Sequence, residues 1–228
     1  MYKSTAKSPR WSGIAAVSAL ALTAFTSSAI AEDMVTIDLD FPKAMFVGTP
    51  VKAKRPNLET PDPKKVIKQI KVPKGVTNVA EEKEITSSDP EPIIGDLEMI
   101  TDTDKDGADG SYVELGPGVQ WIQVDLEDEA EIYAIAVWHF HKNARAYDDV
   151  VIQVSSDKDF KSGVETVFNN DHDNSSKLGK GSDPAWIETN HGRVIKVDGK
   201  KGQFVRFYSN GNTANEMNHY TEIEVYGK

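Results

Sequence analysis

The chain has 228 residues, no cysteine, 26 Lys and Arg against 36 Asp and Glu, and a formal net charge of −10. That balance argues against nucleic acid or an anionic membrane as the main partner, because the Lys/Arg excess that neutralises phosphates is missing. It also excludes disulfides, a thiol nucleophile and a lipid-anchored exported form, so an exported domain of this composition needs a good core, a bound metal, or both.

Residues 1–31 have the pattern of a signal peptide. Lys3, Lys7 and Arg10 form a basic n-region, "IAAVSALALTAF" (14–25) an apolar h-region, and Ala29-Ile30-Ala31 a small-x-small cleavage site. The mature chain is expected to begin at Glu32. The apolar run is short for a span of roughly 30 Å of hydrocarbon, so no transmembrane segment is expected. Residues 32–75 carry prolines at 50, 56, 61, 63 and 73 and many lysines. They are expected to form an extended arm or linker draped over the domain, with a protein-docking role as the alternative.

The stretch "ITDTDKDGADGSYVEL" (100–115) places four aspartates in eight positions. Asp102, Asp104, Asp106 and Gly107 match the start of an EF-hand, but position twelve is Val113 rather than Glu, and the flanks are too short and Gly/Pro-interrupted for helices. Hard oxygen ligands for calcium remain. So does the plainer possibility of a solvated acidic turn, because Asp-Gly is ordinary turn chemistry.

From about Val76 the texture is that of a β protein. "WIQVDL" (121–126), "IYAIAVWHF" (132–140), "VVIQVS" (150–155), "VETVFN" (164–169), "RVIKV" (193–197), "FVRFYS" (204–209) and "TEIEVYG" (221–227) are short β-prone runs between Gly/Asn/Asp loops. Ile122, Val124 and Leu126 share one face of their strand, and Trp121, Gln123 and Asp125 the other. The expected fold is an all-β sandwich or barrel.

Taken in order, "WIQVDLEDEAEIYAIAVWHF", "DDVVIQVSSDKDF", "FVRFYSNGNT" and "TEIEVYG" resemble the discoidin, or coagulation factor 5/8 type C, family over residues 76–228. Glu127 stands where that family usually has Gly, and the cysteine pair of many animal members is missing. The resemblance implies an eight-stranded antiparallel jelly-roll of galactose-binding type, with Trp121 in the core. It also implies a structural calcium between the early loop and the last strand, here Asp102, Asp104, Asp106, Asp109, Ser111 and Glu222. Ligand sites in the family lie in loops at one end of the sandwich. The expected rim is His141, Arg145, Tyr147, His172 and Trp186, where a solvent-facing ring could stack on a sugar and planar groups could meet its hydroxyls. His139, His141 and His172 form a weaker pattern for a transition metal. Arg206 is expected to pair with a carboxylate.

No Gly-x-Ser-x-Gly, His-Glu-x-x-His or phosphate-cradling loop is present, and no carboxylate spacing marks an acid/base pair. The expectation is therefore an exported, non-catalytic module with a structural calcium, binding carbohydrate or another extracellular or periplasmic surface ligand. The alternatives are an adaptor docking a protein through residues 32–75, or a metal-dependent enzyme.

Overall fold

Two long strands organise the molecule. In the computed structural model, which describes residues 1–3, 5, 32–46 and 54–228, they are β6 (Gln120–Trp138) and β9 (Arg193–Ser209). They run antiparallel, from Gln120 opposite Ser209 to Val137 opposite Arg193. Each swallows two of the expected strands, because the break between them is a bulged corner rather than a turn. The register shifts between Asp125 and Ala130 and again between Ile132 and Ala134. At the first corner Glu127 has φ +70°, a left-handed conformation that glycine adopts without strain. The family's usual glycine at that place thus has a backbone reason.

The other strands add to this pair. β4 (Ile85–Ser87) lies on the first half of β6, and β11 (Glu222–Gly227) on the second half. β3 (Thr77–Asn78) borders β11. On the far side β7 (Val151–Ser155) pairs with β9, and β8 (Glu165–Asn169) forms the edge. β5 (Val113–Leu115) and β10 (Asn218–Tyr220) make a separate two-stranded sheet. All of these pairs are antiparallel, as an all-β sandwich of galactose-binding type requires.

Alternation places Ile122, Val124, Ile135, Val205, Phe207 and Ile223 in one core, each at most 1 % exposed. Each such side chain contributes about 1.5–3 kcal/mol on burial. Trp121 is not among them. It is half-buried on the outer face with Gln123 and Asp125, as period two dictates, and Arg206 covers it at 4.3 Å. Among the described residues Arg206 pairs with no carboxylate; its Nε and Nη2 donate to Gln123 Oε1 at 2.8 and 2.6 Å. The fully buried indole is Trp138.

The segment 32–75 is part of the fold. β1 (Met34–Asp38) and β2 (Gln69–Pro73) pair antiparallel, Val35 opposite Val72 and Ile37 opposite Ile70. Leu39, Ile70 and Val72 bury themselves against Ala134, Ala136, Trp138 and Tyr226, on the sheet face away from the main core. Residues 32–228 form one compact unit, so the expected boundary between 75 and 76 does not divide the molecule. The expected signal peptide, residues 1–31, lies almost entirely outside the described residues. Among the described residues no helix is long and apolar enough to cross a membrane.

Candidate functional site

The acidic loop follows a short 3-10 helix, Leu97–Thr101. Its aspartates do not converge. Asp102 Oδ1 accepts from Asp104 N at 2.8 Å and Asp104 Oδ1 from Asp106 N at 2.9 Å, so two of them fold the loop on itself. Asp109 pairs with Lys142, and Ser111 is half-buried. The expected partner on the last strand is nevertheless in place. Glu222 is fully buried, and its Oε2 accepts from Thr103 N at 3.1 Å. Among the described residues its Oε1 has no partner. Beside it Glu224 is paired with Lys105 Nζ at 2.7 Å and accepts from Tyr226 Oη at 2.8 Å. Burial, then the charges of Glu224 and Asp102, push the Glu222 carboxyl up to about 9, against a smaller opposing pull from Lys105.

The expected ligand rim is divided by the structure. His141 is fully buried, with Nε2 on the Lys105 carbonyl at 2.9 Å. Arg145 is buried over the Phe140 ring at 4.6 Å. Tyr147 is 2 % exposed and stacks on His139 at 4.3 Å. Trp186 is 5 % exposed, edge-on to Phe168 at 5.6 Å in the main core. The expectation that the indole and Tyr147 face solvent is therefore corrected. The loop that carries Trp186 looks polar in sequence, but the chain at Leu58 bridges to Ala185 and roofs it. His172 alone of the five is half-exposed in a loop.

The histidines are held apart as well. His139 Nδ1 lies 2.5 Å from Glu188 Oε1, and His219 Nε2 lies 2.9 Å from Glu114 Oε2. Burial, then Arg145 and His139, hold His219 down to about 3, so it is a neutral partner at physiological pH. Among the described residues, the one group of three acidic or imidazole side chains with ligand atoms within 4.8 Å of one another is Asp149, Asp171 and Asp173. Such a group could hold a metal ion. It has hydrogen-bond partners of its own, because the two oxygens of Asp171 accept from Asn174 N, Ser175 N, Ser176 N and Ser176 Oγ.

Asp149 and Asp173 border a cleft of about 220 Å³ that gathers Tyr147 and His172 from the expected rim. The rest of its wall is planar and polar. Arg55 grips Asp148 with two bonds, Nε to Oδ1 at 2.6 Å and Nη2 to Oδ2 at 2.7 Å. Asn57 Nδ2 donates to the Asn170 carbonyl at 2.6 Å, and Asn210 Nδ2 to Asp149 Oδ2 at 2.8 Å. Arg55, Asp148 and Asn210 also border a second, shallower recess of about 600 Å³ along 210–216. Asp148 and Asp149 adjoin Tyr147 in sequence and were within reach of inspection. Arg55 and Asn57 were not, because they arrive from 93 and 113 residues away.

No protein-family model and no curated protein matches this chain. Solved structures of similar fold include chitosan-binding module 1 of a chitosanase/glucanase from Paenibacillus sp. IK-5. It is 20 % identical, with 66 % of this chain and 98 % of that one aligned and a TM-score of 0.47. A fucose-binding module from Streptococcus pneumoniae is 18 % identical, over 66 % and 97 %, with a TM-score of 0.48. A family 89 glycoside hydrolase from Clostridium perfringens is 18 % identical over 66 % of this chain, which spans only 14 % of that enzyme, with a TM-score of 0.48. The modules among these neighbours have the discoidin-like, galactose-binding type of fold that the sequence resembles. At such identities and TM-scores the likeness carries no argument about what this chain binds.

Proposed function

We propose that this chain is an exported, non-catalytic module that binds carbohydrate in the cleft between Arg55, Asn57, Asp148, Asp149, His172 and Asn210. One observation carries the reading. The cleft wall sets planar donors beside acceptors, Arg55 on Asp148 and Asn210 on Asp149, and a polyol, whose hydroxyls both donate and accept, can bond to either kind. Tyr147 and His172 of the expected rim border it; His141, Arg145 and Trp186 do not. Glycan-array binding of residues 32–228 tests the reading, with Arg55→Gln and Asn210→Ala as variants. Loss of the array signal in both, at unchanged melting temperature, is expected. Retention of the full signal in both would overturn the cleft assignment.

A structural calcium belongs to the same proposal. The buried, partnerless Glu222 Oε1 beside a second carboxylate suits a cation, and Glu222 and Asp102 with the 102–111 backbone would hold it. Bound there, the ion would add positive charge beyond the small pull of Lys105, whose salt bridge is with Glu224.

A further inference from the structure

The polar cleft offers no apolar face, yet such a face exists on the other side of the chain that walls it. Asn57 borders the cleft, and Glu59, two residues on, borders a separate cavity of about 400 Å³. Ala185 and Trp186 divide between the two in the same way. The partition is the bridge between Leu58 and Ala185, with Glu59 N donating to the Ala185 carbonyl at 2.9 Å.

The lining has an apolar part, Pro61, Pro63, Val66 and Ile67 from the N-terminal segment with Ile187 and Val194, interrupted by the exposed Asp62 and Lys65. Its polar part includes Arg193, Glu59, Thr189 and His191. The charges there are spent on one another. Arg193 Nη1 donates to Glu59 Oε1 at 2.6 Å, and the guanidinium lies 5.4 Å from the centre of the Trp186 ring. Burial, then Lys68, hold His191 below the usual imidazole range, so it offers a neutral donor and acceptor. Gly192, at φ +58°, is required at the turn: a Cβ there would come within 2.6 Å of the Val137 carbonyl. The cavity's shape is therefore set by backbone on two sides.

We propose that this cavity is a second ligand site and that it takes an uncharged saccharide ring. The ring's apolar face would lie on the Pro61–Ile187 side, and its hydroxyls would meet the Arg193–Glu59 pair and Thr189. An apolar lining with a few fixed polar groups is the ordinary make-up of a small-molecule site, and a neutralised guanidinium selects hydroxyls over carboxylates. The choice of saccharide rests on the carbohydrate reading above; the cavity itself does not.

The test is amide chemical-shift mapping of residues 32–228 titrated separately with galactose, N-acetylglucosamine, fucose and mannose. For at least one sugar, the amides of 187–194 are expected to move in a saturable way, independently of those of 170–175 and 210. Val66→Trp, which fills the cavity, should weaken the 187–194 response at least tenfold and leave the cleft response unchanged. If only the cleft amides move, the second site is refuted and the proposed function stands. If only 187–194 move, the second site stands and the cleft assignment falls. If neither set moves with any of the four sugars, both are overturned. The wild-type titration decides the matter even if the variant does not fold.

Discussion

Glu222→Gln tests the calcium proposal most directly, because it has opposite effects with and without metal. In metal-stripped protein the Glu222 carboxyl is held at about 9 against an ordinary value of 4.5. A raised carboxyl means that the folded state binds the proton more tightly than the unfolded state. The stability it contributes is therefore intact below 4.5 and lost as pH rises toward about 9. Each unit is worth about 1.4 kcal/mol, so by pH 7 the loss reaches about 3 kcal/mol. Glutamine removes that loss but brings an amide with its own unmet bond, a cost of about 1–3 kcal/mol. In chelator the variant is thus expected to match or exceed the wild type at pH 7 and to lack its slope between pH 5 and 8. In calcium the order reverses. The wild type gains about 2.7 kcal/mol at a hundredfold excess over Kd, while the variant gains nothing. Thermal melts across that pH range, in chelator and in calcium, read both effects, at about 2–4 °C per kcal/mol for a domain of this size. A wild type with no slope in chelator, or a variant that keeps the calcium shift, would refute the argument.

Trp186→Ala is expected to cost about 3–5 kcal/mol, as truncation of a buried indole does; a chemical melt within 1 kcal/mol of wild type would contradict its place in the core. His219, held near 3 in the fold, is charged in the unfolded chain below about 6.5, so stability should fall as pH drops from 6.5 toward 3. His219→Gln should flatten that part of the denaturation profile, and an unchanged slope would assign the acid sensitivity to another group. Ile70→Ala should lower stability by about 2–4 kcal/mol, since its side chain is 4 % exposed against the sheet; a neutral result would mean that the N-terminal hairpin docks only loosely.

Strand positions were legible because period two is local: Ile122, Val124 and Leu126 announce their own face. The same rule should have placed Trp121 outside, and the resemblance to a family core position misled there. The joining of "WIQVDL" to "IYAIAVWHF" was not legible. The corner at Glu127 is held by a backbone conformation that glutamate rarely adopts, and Asp125 Oδ1, which accepts from Glu127 N at 2.8 Å, is one of its few visible supports. Glu222 was found through family position, and its burial beside Glu224 then gave that position a physical meaning. The expected rim failed for a different reason. Composition cannot show that Leu58 will lie across Ala185, so a loop that reads as polar and exposed carries a buried indole. Arg55 and Glu59 were hidden by the same distance in sequence; strand-like character at 34–38 was legible, but its pairing with 69–73, 31 to 39 residues on, was not.

The place of β11 has a consequence for how the chain acquires its structure. This strand, formed by residues 222–227, lies between β3 and the second half of β6, and the N-terminal hairpin rests partly on its Tyr226. Neither β3 nor the second half of β6 can complete its pairing until residues near 227 are available. The β6–β9 pairs likewise join residues about 56–89 apart in sequence. Sheets closed by such remote contacts fold on the millisecond-to-second scale, because the loop entropy is spent before any pairing rewards it. For this chain the pairing of β6 with β11 therefore waits until residues 222–227 have been made.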